Sequence, residues 1–157
     1  FGREGRAAEL CEAFQKVYIN AVGACADLPR ERVLYLIWKS PWMTVSRDTY
    51  ISRTLAAVGW DTVEIKSKDR YPKIELTEEL VSRVDRVLLP SEPYAFRERH
   101  LDEIRQAIAA ANHFFVPTAL EEVESPLKVS LIDGEMTSWY GSRAIEGMKY
   151  LSRLRTG

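Results

Sequence analysis

The stretch Arg32-Val33-Leu34-Tyr35-Leu36-Ile37-Trp38-Lys39-Ser40-Pro41-Trp42-Met43-Thr44 decides the fold. From Arg32 to Trp38 it is a continuous β-favouring run without polar alternation, the pattern of a strand buried on both faces. A Lys-Ser-Pro turn then leads into a second aromatic segment. Upstream, Ala7, Leu10, Cys11, Phe14, Val17, Tyr18, Ala21 and Val22 recur at helical spacing, which predicts one amphipathic helix from Arg3 to about Ala24. At 1.5 Å per residue that helix is roughly 33 Å long. Asp27-Leu28-Pro29-Arg30 stops it, so a long helix feeds a central strand.

Downstream the pattern alternates. A helix is expected from about Arg47 to Val58, with Ser46 as N-cap and Gly59 as the stop, followed by a strand over Thr62 to Ile65. Lys66 to Lys73 is polar and turn-like, Thr77-Glu78-Glu79-Leu80 opens a short helix to about Val84, and Arg86 to Leu89 is another strand. An amphipathic helix runs from about Phe96 to Ala111. After strand Val129 to Ile132 and a loop Asp133 to Trp139, a helix from about Gly141 to Leu154 closes the chain. His113 to Pro126 reads as an insertion with a turn of helix at Ala119 to Val123. Strands separated by helices in this way predict an α/β fold, a three-layer sandwich. Its central sheet is mostly parallel, with helices on both faces, preceded by the long N-terminal helix. The expected division is residues 1–26 for that helix and 27–157 for the α/β lobe.

Composition narrows the function. The chain has 157 residues, 22 basic against 23 acidic side chains, and 46% apolar residues. That is enough for one core and too apolar for disorder. No basic excess exists to release counterions, so nucleic-acid binding has no support. Its apolar runs fall far short of the roughly 18 residues of a membrane span. Cys11 and Cys25 lie about 20 Å apart on one helix, too far for a bridge, and read as small buried apolar side chains. The phosphate-loop, dinucleotide, nucleophile-elbow and zinc-protease motifs are missing. His100 and His113 read as surface or capping residues.

Ligand sites of such sheets form beyond the carboxyl ends of the strands. The loops there hold three of the four tryptophans: Trp38 and Trp42 after the first strand, and Trp139 in the last loop. Tyr94 lies in Ser91-Glu92-Pro93-Tyr94, Tyr140 adjoins Trp139, and Tyr71 lies in the polar connection. Aromatic side chains at strand ends often plug cores. Their concentration on one inferred edge favours a platform for a large or planar ligand. Glu92, Asp133 and Glu135 share these loops, where an acid/base pair competes with simpler roles as caps or as partners of Arg143.

Three segments carry a resemblance: Arg32 to Thr44, Ser91-Glu92-Pro93-Tyr94-Ala95-Phe96, and Asp133-Gly134-Glu135 with Ser138-Trp139-Tyr140-Gly141-Ser142-Arg143. In this order they resemble the C-terminal lobe of helical-backbone (class III) substrate-binding proteins of ABC importers. The likeness is to the vitamin B12-binding-like, or helical-backbone metal receptor, branch. Helix Arg3 to Ala24 is similar to the helix that joins the two lobes. The resemblance implies a non-enzymatic solute-binding component that captures a metal chelate or corrinoid, of the vitamin B12, iron-siderophore or haem class, and delivers it to a permease. No covalent cofactor is implied. The ligand-facing residues it implies are Trp38, Trp42, Met43, Tyr71, Tyr94, Glu135, Trp139, Tyr140 and Arg143; it names no metal ligand. Glu78 and Glu79 resemble a region that docks onto the ABC-transporter permease, although the helix dipole alone also accounts for acidic residues there.

The implied partners are that permease, the metal chelate, and an N-terminal lobe of the same protein. The chain begins Phe1-Gly2-Arg3 without Met, inside a helical pattern, so an excised piece is expected. An isolated lobe with this aromatic edge is also expected to pair with itself. The resemblance implies a periplasmic or surface-anchored protein and leaves the cytoplasm open. Two alternatives remain: a small α/β enzyme using Glu92, Asp133 or Glu135, and a protein-interaction domain.

Overall fold

A computed structural model describes residues 2–112 and 127–157. The insertion expected over His113 to Pro126, with its turn of helix at Ala119 to Val123, lies outside the described residues.

Helix α1 (Arg3–Cys25) leads into β1 (Glu31–Trp38), then β2 (Trp42–Thr44), α2 (Tyr50–Ala57), β3 (Trp60–Thr62) and β4 (Lys73–Ile74). Then come α3 (Glu78–Val81), β5 (Arg86–Pro90), α4 (Glu98–Ala111), β6 (Lys128–Ile132), α5 (Gly134–Ser138) and α6 (Ser142–Thr156). Strand β1 is the axis of the molecule. Alternate side chains of a strand point to opposite faces, and here both faces are buried. Val33, Tyr35 and Ile37 pack with Ala21 and Cys25 of α1, Leu55 of α2, and Met148 and Leu151 of α6. Leu34 and Leu36 pack on the other side with Leu80 and Val81 of α3 and Ile104 and Ile108 of α4. The result is a three-layer α/β sandwich.

β1 pairs in parallel with β3 on one side and β5 on the other, and β5 pairs in parallel with β6. The sheet is mostly but not wholly parallel. β2 runs antiparallel to the upper half of β1, and β4 runs antiparallel to β2. The parallel strands therefore lie in the order β3-β1-β5-β6, and the chain reverses direction across the sheet between β1 and β5. In open α/β sheets that reversal opens a crevice at the carboxyl ends of the two strands.

At the opposite end, one carboxylate ties four strands. Glu31 accepts from Arg86 Nε at 2.8 Å, Trp60 Nε1 at 2.8 Å and Lys128 Nζ at 3.2 Å. Burial alone would push its carboxyl up, but these donors outweigh burial and hold it down at about 2.

Several expectations are corrected. The loop after β1 folds back as β2. Residue 46 still belongs to the sheet edge, Ser46 N donating to Arg70 O at 2.8 Å. Helix α2 therefore starts only after Thr49, whose Oγ1 accepts from Ser52 N at 3.2 Å. β3 lies earlier than the expected Thr62 to Ile65, because β2 occupies the flank of β1 beyond Leu36 and the β1–β3 ladder ends at Val33 and Thr62. The last loop contains α5. Cys11 is exposed while Cys25 is buried. The apolar stripe of α1 is only partly covered: Ala21 and Cys25 are buried and Phe14 and Val17 pack half-buried on the same core, whereas Tyr18 and Val22 are 40% and 37% exposed. Among the described residues no helix is long and apolar enough to cross a membrane.

Candidate functional site

The crevice between β1 and β5 holds a recess of about 260 Å³ lined by Tyr35, Ile51, Glu92, Pro93 and Ser138. Each of these residues sits where the fold brings a strand end or a helix start to the edge. Tyr35 lies near the end of β1, Glu92 and Pro93 follow β5, Ile51 is in the first turn of α2, and Ser138 ends α5. Helix α5 is seated closely. Asp133 caps it by accepting from Glu135 N at 3.0 Å and Met136 N at 3.4 Å. Gly134 N donates to Ser91 Oγ at 3.0 Å. A Cβ at Gly134 would stand 2.9 Å from the Glu92 backbone N and O, so only glycine lets α5 approach the loop after β5 this closely.

Aromatic groups flank the recess. On the β1–β5 side, Trp38, 42% exposed, meets Tyr94 edge-on at 5.5 Å between ring centroids. Tyr94 in turn packs on Phe96 at 4.6 Å and on His100 at 5.6 Å. Lys39, next to Trp38, pairs with Glu103 of α4. On the α2–α5 side, Tyr140 is 71% exposed and packs on Tyr50 at 4.4 Å. The Tyr50 hydroxyl donates to Trp139 O at 3.1 Å, and the Arg143 guanidinium lies 3.6 Å over the Trp139 ring. The lining residues adjoin these groups in sequence: Pro93 precedes Tyr94, Ile51 follows Tyr50, and Ser138 precedes Trp139. Such offset and edge-on aromatic contacts hold the rings in defined orientations.

Between the two groups lies Tyr35, 1% exposed, whose hydroxyl is 2.6 Å from Thr137 Oγ1. Burial pushes its phenol well above the usual tyrosine value, and the nearby Asp133 and Glu92 charges push it the same way. His100 is no surface residue: it is 3% exposed, and its Nδ1 accepts from Arg97 N at 2.8 Å as a cap of α4. Burial and the neighbouring Arg99 and Lys39 charges lower its pKa against the opposing pull of Glu103. His113 lies outside the described residues.

Trp38, Tyr94, Trp139 and Tyr140 do not line the recess themselves but belong to the segments that supply its lining, with Arg143 stacked on Trp139 and Glu135 in the first turn of α5. Arg143 stacks on Trp139 and makes no ion pair with Glu135 among the described residues. Trp42 packs half-buried on the α3–α4 side of the sheet and Met43 on the other core. Tyr71 is 49% exposed beside the outer antiparallel edge, where Thr44 N donates to Pro72 O at 3.1 Å. Those three neither line the recess nor adjoin its lining residues in sequence. Glu78 and Glu79 are exposed in the first turn of α3, behind Thr77, whose Oγ1 accepts from Leu80 N at 3.3 Å. Tyr35, Tyr50 and Ile51 escape sequence reasoning. A tyrosine inside an apolar strand is itself a signal, since a buried hydroxyl needs a partner. Among the described residues no three His, Cys, Asp or Glu side chains converge on a metal-sized point.

No protein-family model matches the chain, and no curated protein matches it by sequence. Solved structures do match in fold. A periplasmic binding protein from Veillonella parvula aligns over 98% of this chain and 51% of its own, at 19% identity and a TM-score of 0.68. The haem complex of IsdE from S. aureus aligns over 100% of this chain and 60% of its own, at 18% identity and a TM-score of 0.66. The vitamin B12-binding protein BtuF of Vibrio cholerae aligns over 92% and 49%, at 13% identity and a TM-score of 0.59. This is the fold of one half of a class III periplasmic binding protein. The chain spans about half the length of the class III structures it matches. The three matched proteins are all binding proteins.

Proposed function

We propose that the chain is the backbone helix (residues 1–26) and C-terminal lobe (27–157) of a class III solute-binding protein that captures a metal chelate or corrinoid without covalent chemistry. The observation that supports this reading is a pair of aromatic clusters, Trp38–Tyr94 and Tyr50–Tyr140–Trp139, with Trp38 and Tyr140 exposed, in the segments that supply the lining of one recess at the strand-order reversal. Aromatic faces on a concave rim suit a large, flat, partly apolar ligand. Vitamin B12, haem and iron-hydroxamate carriers of the same fold supply the ligand classes to test.

The remaining parts of the reading follow from this one. A second lobe would close over the same rim. Trp42, Met43 and Tyr71 would enter the ligand interface only at its outer edge. The exposed pair Glu78 and Glu79 would meet cationic side chains of an ABC permease, and the protein would work in the periplasm or anchored to the cell surface. Of the three loop carboxylates, Asp133 is already committed to capping α5 through two backbone donors.

Intrinsic tryptophan fluorescence is the test. Titration with cyanocobalamin, haemin and ferric hydroxamates should quench Trp38 and Trp139 for at least one of them. Absence of a saturable response to every member up to millimolar concentration rejects the reading.

A further inference from the structure

The N-terminal cap of α4 rests on a side chain that titrates near neutral pH. In a capping box the side chain three residues into the helix accepts from the backbone N–H of the cap residue, and that side chain is ordinarily Glu or Gln. His100 takes the place here. Its Nδ1 accepts from Arg97 N at 2.8 Å, and among the described residues that N–H has no other acceptor. A backbone amide can only donate, so Nδ1 supplies a lone pair and the single proton of the neutral ring lies on Nε2. Nε2 stands 3.4 Å from Arg99 Nε, a meeting of two N–H groups and therefore no hydrogen bond. A second proton on the ring would occupy Nδ1 and set it against the Arg97 N–H, which ends the cap.

The surroundings also resist the cation. The ring is 3% exposed and sits in the first turn of a helix, where the dipole disfavours positive charge. The charged groups acting on it are Arg99 and Glu103 of α4 and Lys39 from the loop after β1. Lys39 is paired with Glu103, and Arg99 has no ion pair among the described residues. The loop after β5 faces the ring with Tyr94 and Phe96, both edge-on at 5.6 Å. Tyr94 in turn meets Trp38 edge-on at 5.5 Å. The segment between them is short: Glu92 and Pro93 line the recess, Phe96 N donates to Tyr94 O at 2.8 Å, and Arg97 bears the capped N–H. One hydrogen bond and two ring contacts from His100 thus hold, from behind, the corner that carries Tyr94 and Trp38.

We propose that His100 is a positioning residue for the Trp38–Tyr94 cluster and holds it only while its ring is neutral, so that ligand binding at this edge weakens in mild acid. Burial first, and Arg99 next, place the midpoint below the ordinary histidine value of 6.5. The cluster is therefore set at pH 7 and above, and loosens as pH falls through that midpoint. The effect on affinity rests on the chelate-binding reading; the coupling of His100 to Trp38 does not.

A titration of the ligand-free 157-residue chain from pH 8 to 5 tests the coupling alone. Nitrogen-15 spectra of the imidazole should show the Nε2–H tautomer and a midpoint below 6.5. The Trp38 indole and Arg97 amide signals should move with the same midpoint, while the Trp60 indole, beside Glu31 at the opposite end of the sheet, stays fixed. His100→Gln keeps an acceptor at the capping position without a titrating group. Both movements should vanish in it, which separates them from His113, the other histidine of the chain. An Nδ1–H tautomer, a ring that does not titrate in this range, a stationary Trp38, or movement that persists in His100→Gln overturns the proposal. Tryptophan quenching by cyanocobalamin, haemin and a ferric trihydroxamate at pH 7.5 and 5.5 reads the consequence. Loss of one such hydrogen bond shifts a local equilibrium about 2- to 10-fold. Affinity for cyanocobalamin or the trihydroxamate should fall by that factor in the parent and stay level in His100→Gln; an affinity equal at the two pH values in the parent overturns the proposal. If Trp38 follows His100 and none of the three chelates quenches tryptophan at either pH, the positioning role stands and the chelate-binding reading falls.

Discussion

Replacing Gly147 by alanine should destabilise the protein even though alanine is the better helix former. Gly147 lies inside α6, and a Cβ built there would stand 2.3 Å from Met136 O and 3.3 Å from Met136 C, both backbone atoms of α5. Ordinary contact starts at 3.4 Å, so α5 and α6 must separate by about 1 Å. Overpacking of this kind costs about 1–3 kcal/mol, and rigid backbone places it at the upper end. Alanine returns about 1 kcal/mol of helix propensity. The net loss is about 1–2 kcal/mol, a fall in Tm of roughly 2–8 °C for a chain of this length. Gly23 is the control: it lies in α1 with nothing within 4 Å of a built Cβ. Gly23→Ala should raise Tm by up to about 4 °C. Thermal unfolding followed by far-UV circular dichroism reads both. Since α5 carries Ser138 and ends beside Trp139, Gly147→Ala should also weaken ligand quenching of tryptophan, and Gly23→Ala should not. A Gly147→Ala protein as stable as its parent would refute the close packing of α5 on α6.

Four further outcomes follow from the structure. Glu31→Gln should lower stability by about 2–3 kcal/mol, because Arg86, Arg155 and Lys128 lose their shared counter-charge; urea unfolding measures it. The same carboxylate sets an acid limit: its folded pKa of about 2 lies below its ordinary 4.5, so its contribution is complete above about pH 5.5 and is lost as pH falls towards 2. Partial exposure of Lys128 screens the pair, so about 1–2 kcal/mol should disappear over that window in the parent and far less in Glu31→Gln. Trp38→Ala should weaken binding of a quenching ligand about 3- to 10-fold through loss of an aromatic contact worth about 0.5–1.5 kcal/mol, measured by fluorescence titration. Tyr18, Ile19 and Val22 expose apolar surface on α1, so light scattering should detect self-association at high concentration, reduced by Ile19→Lys.

Strand β1 was readable because five consecutive buried side chains, Val33 to Ile37, leave no polar gap. Long helices declared themselves by periodicity, and Thr77 by its hydroxyl ahead of two glutamates. Among elements of two to five residues, β5, β6 and the short helix behind Thr77 were readable, whereas β2, β4 and α5 were not. β2, β4 and α5 are too short to show a period; pairing of β2 to β1 and of β4 to β2, and packing of α5 against the Glu92 backbone, create them. At the site, the exposed rim aromatics stood out because tryptophan is rare in loops. Trp42 shares that signal, yet its side chain turns into the α3–α4 core, a choice made by strand pairing rather than by local sequence. Tyr35 was hidden for the opposite reason: its ring belongs to the strand pattern, and only its hydroxyl reaches Thr137.

Indole N–H resonances test ligand capture at the β1–β5 crevice most directly, because the tryptophans occupy different environments. Trp38 and Trp139 flank the recess, whereas Trp60 is 2% exposed and donates to Glu31 at the opposite end of the sheet. Titration with diamagnetic ligands, cyanocobalamin, zinc protoporphyrin and a gallium hydroxamate, should move the Trp38 and Trp139 signals saturably for at least one of them and leave Trp60 fixed. Binding that moves Trp60 while Trp38 and Trp139 stay still, or no movement with any ligand, would contradict a chelate site at this edge.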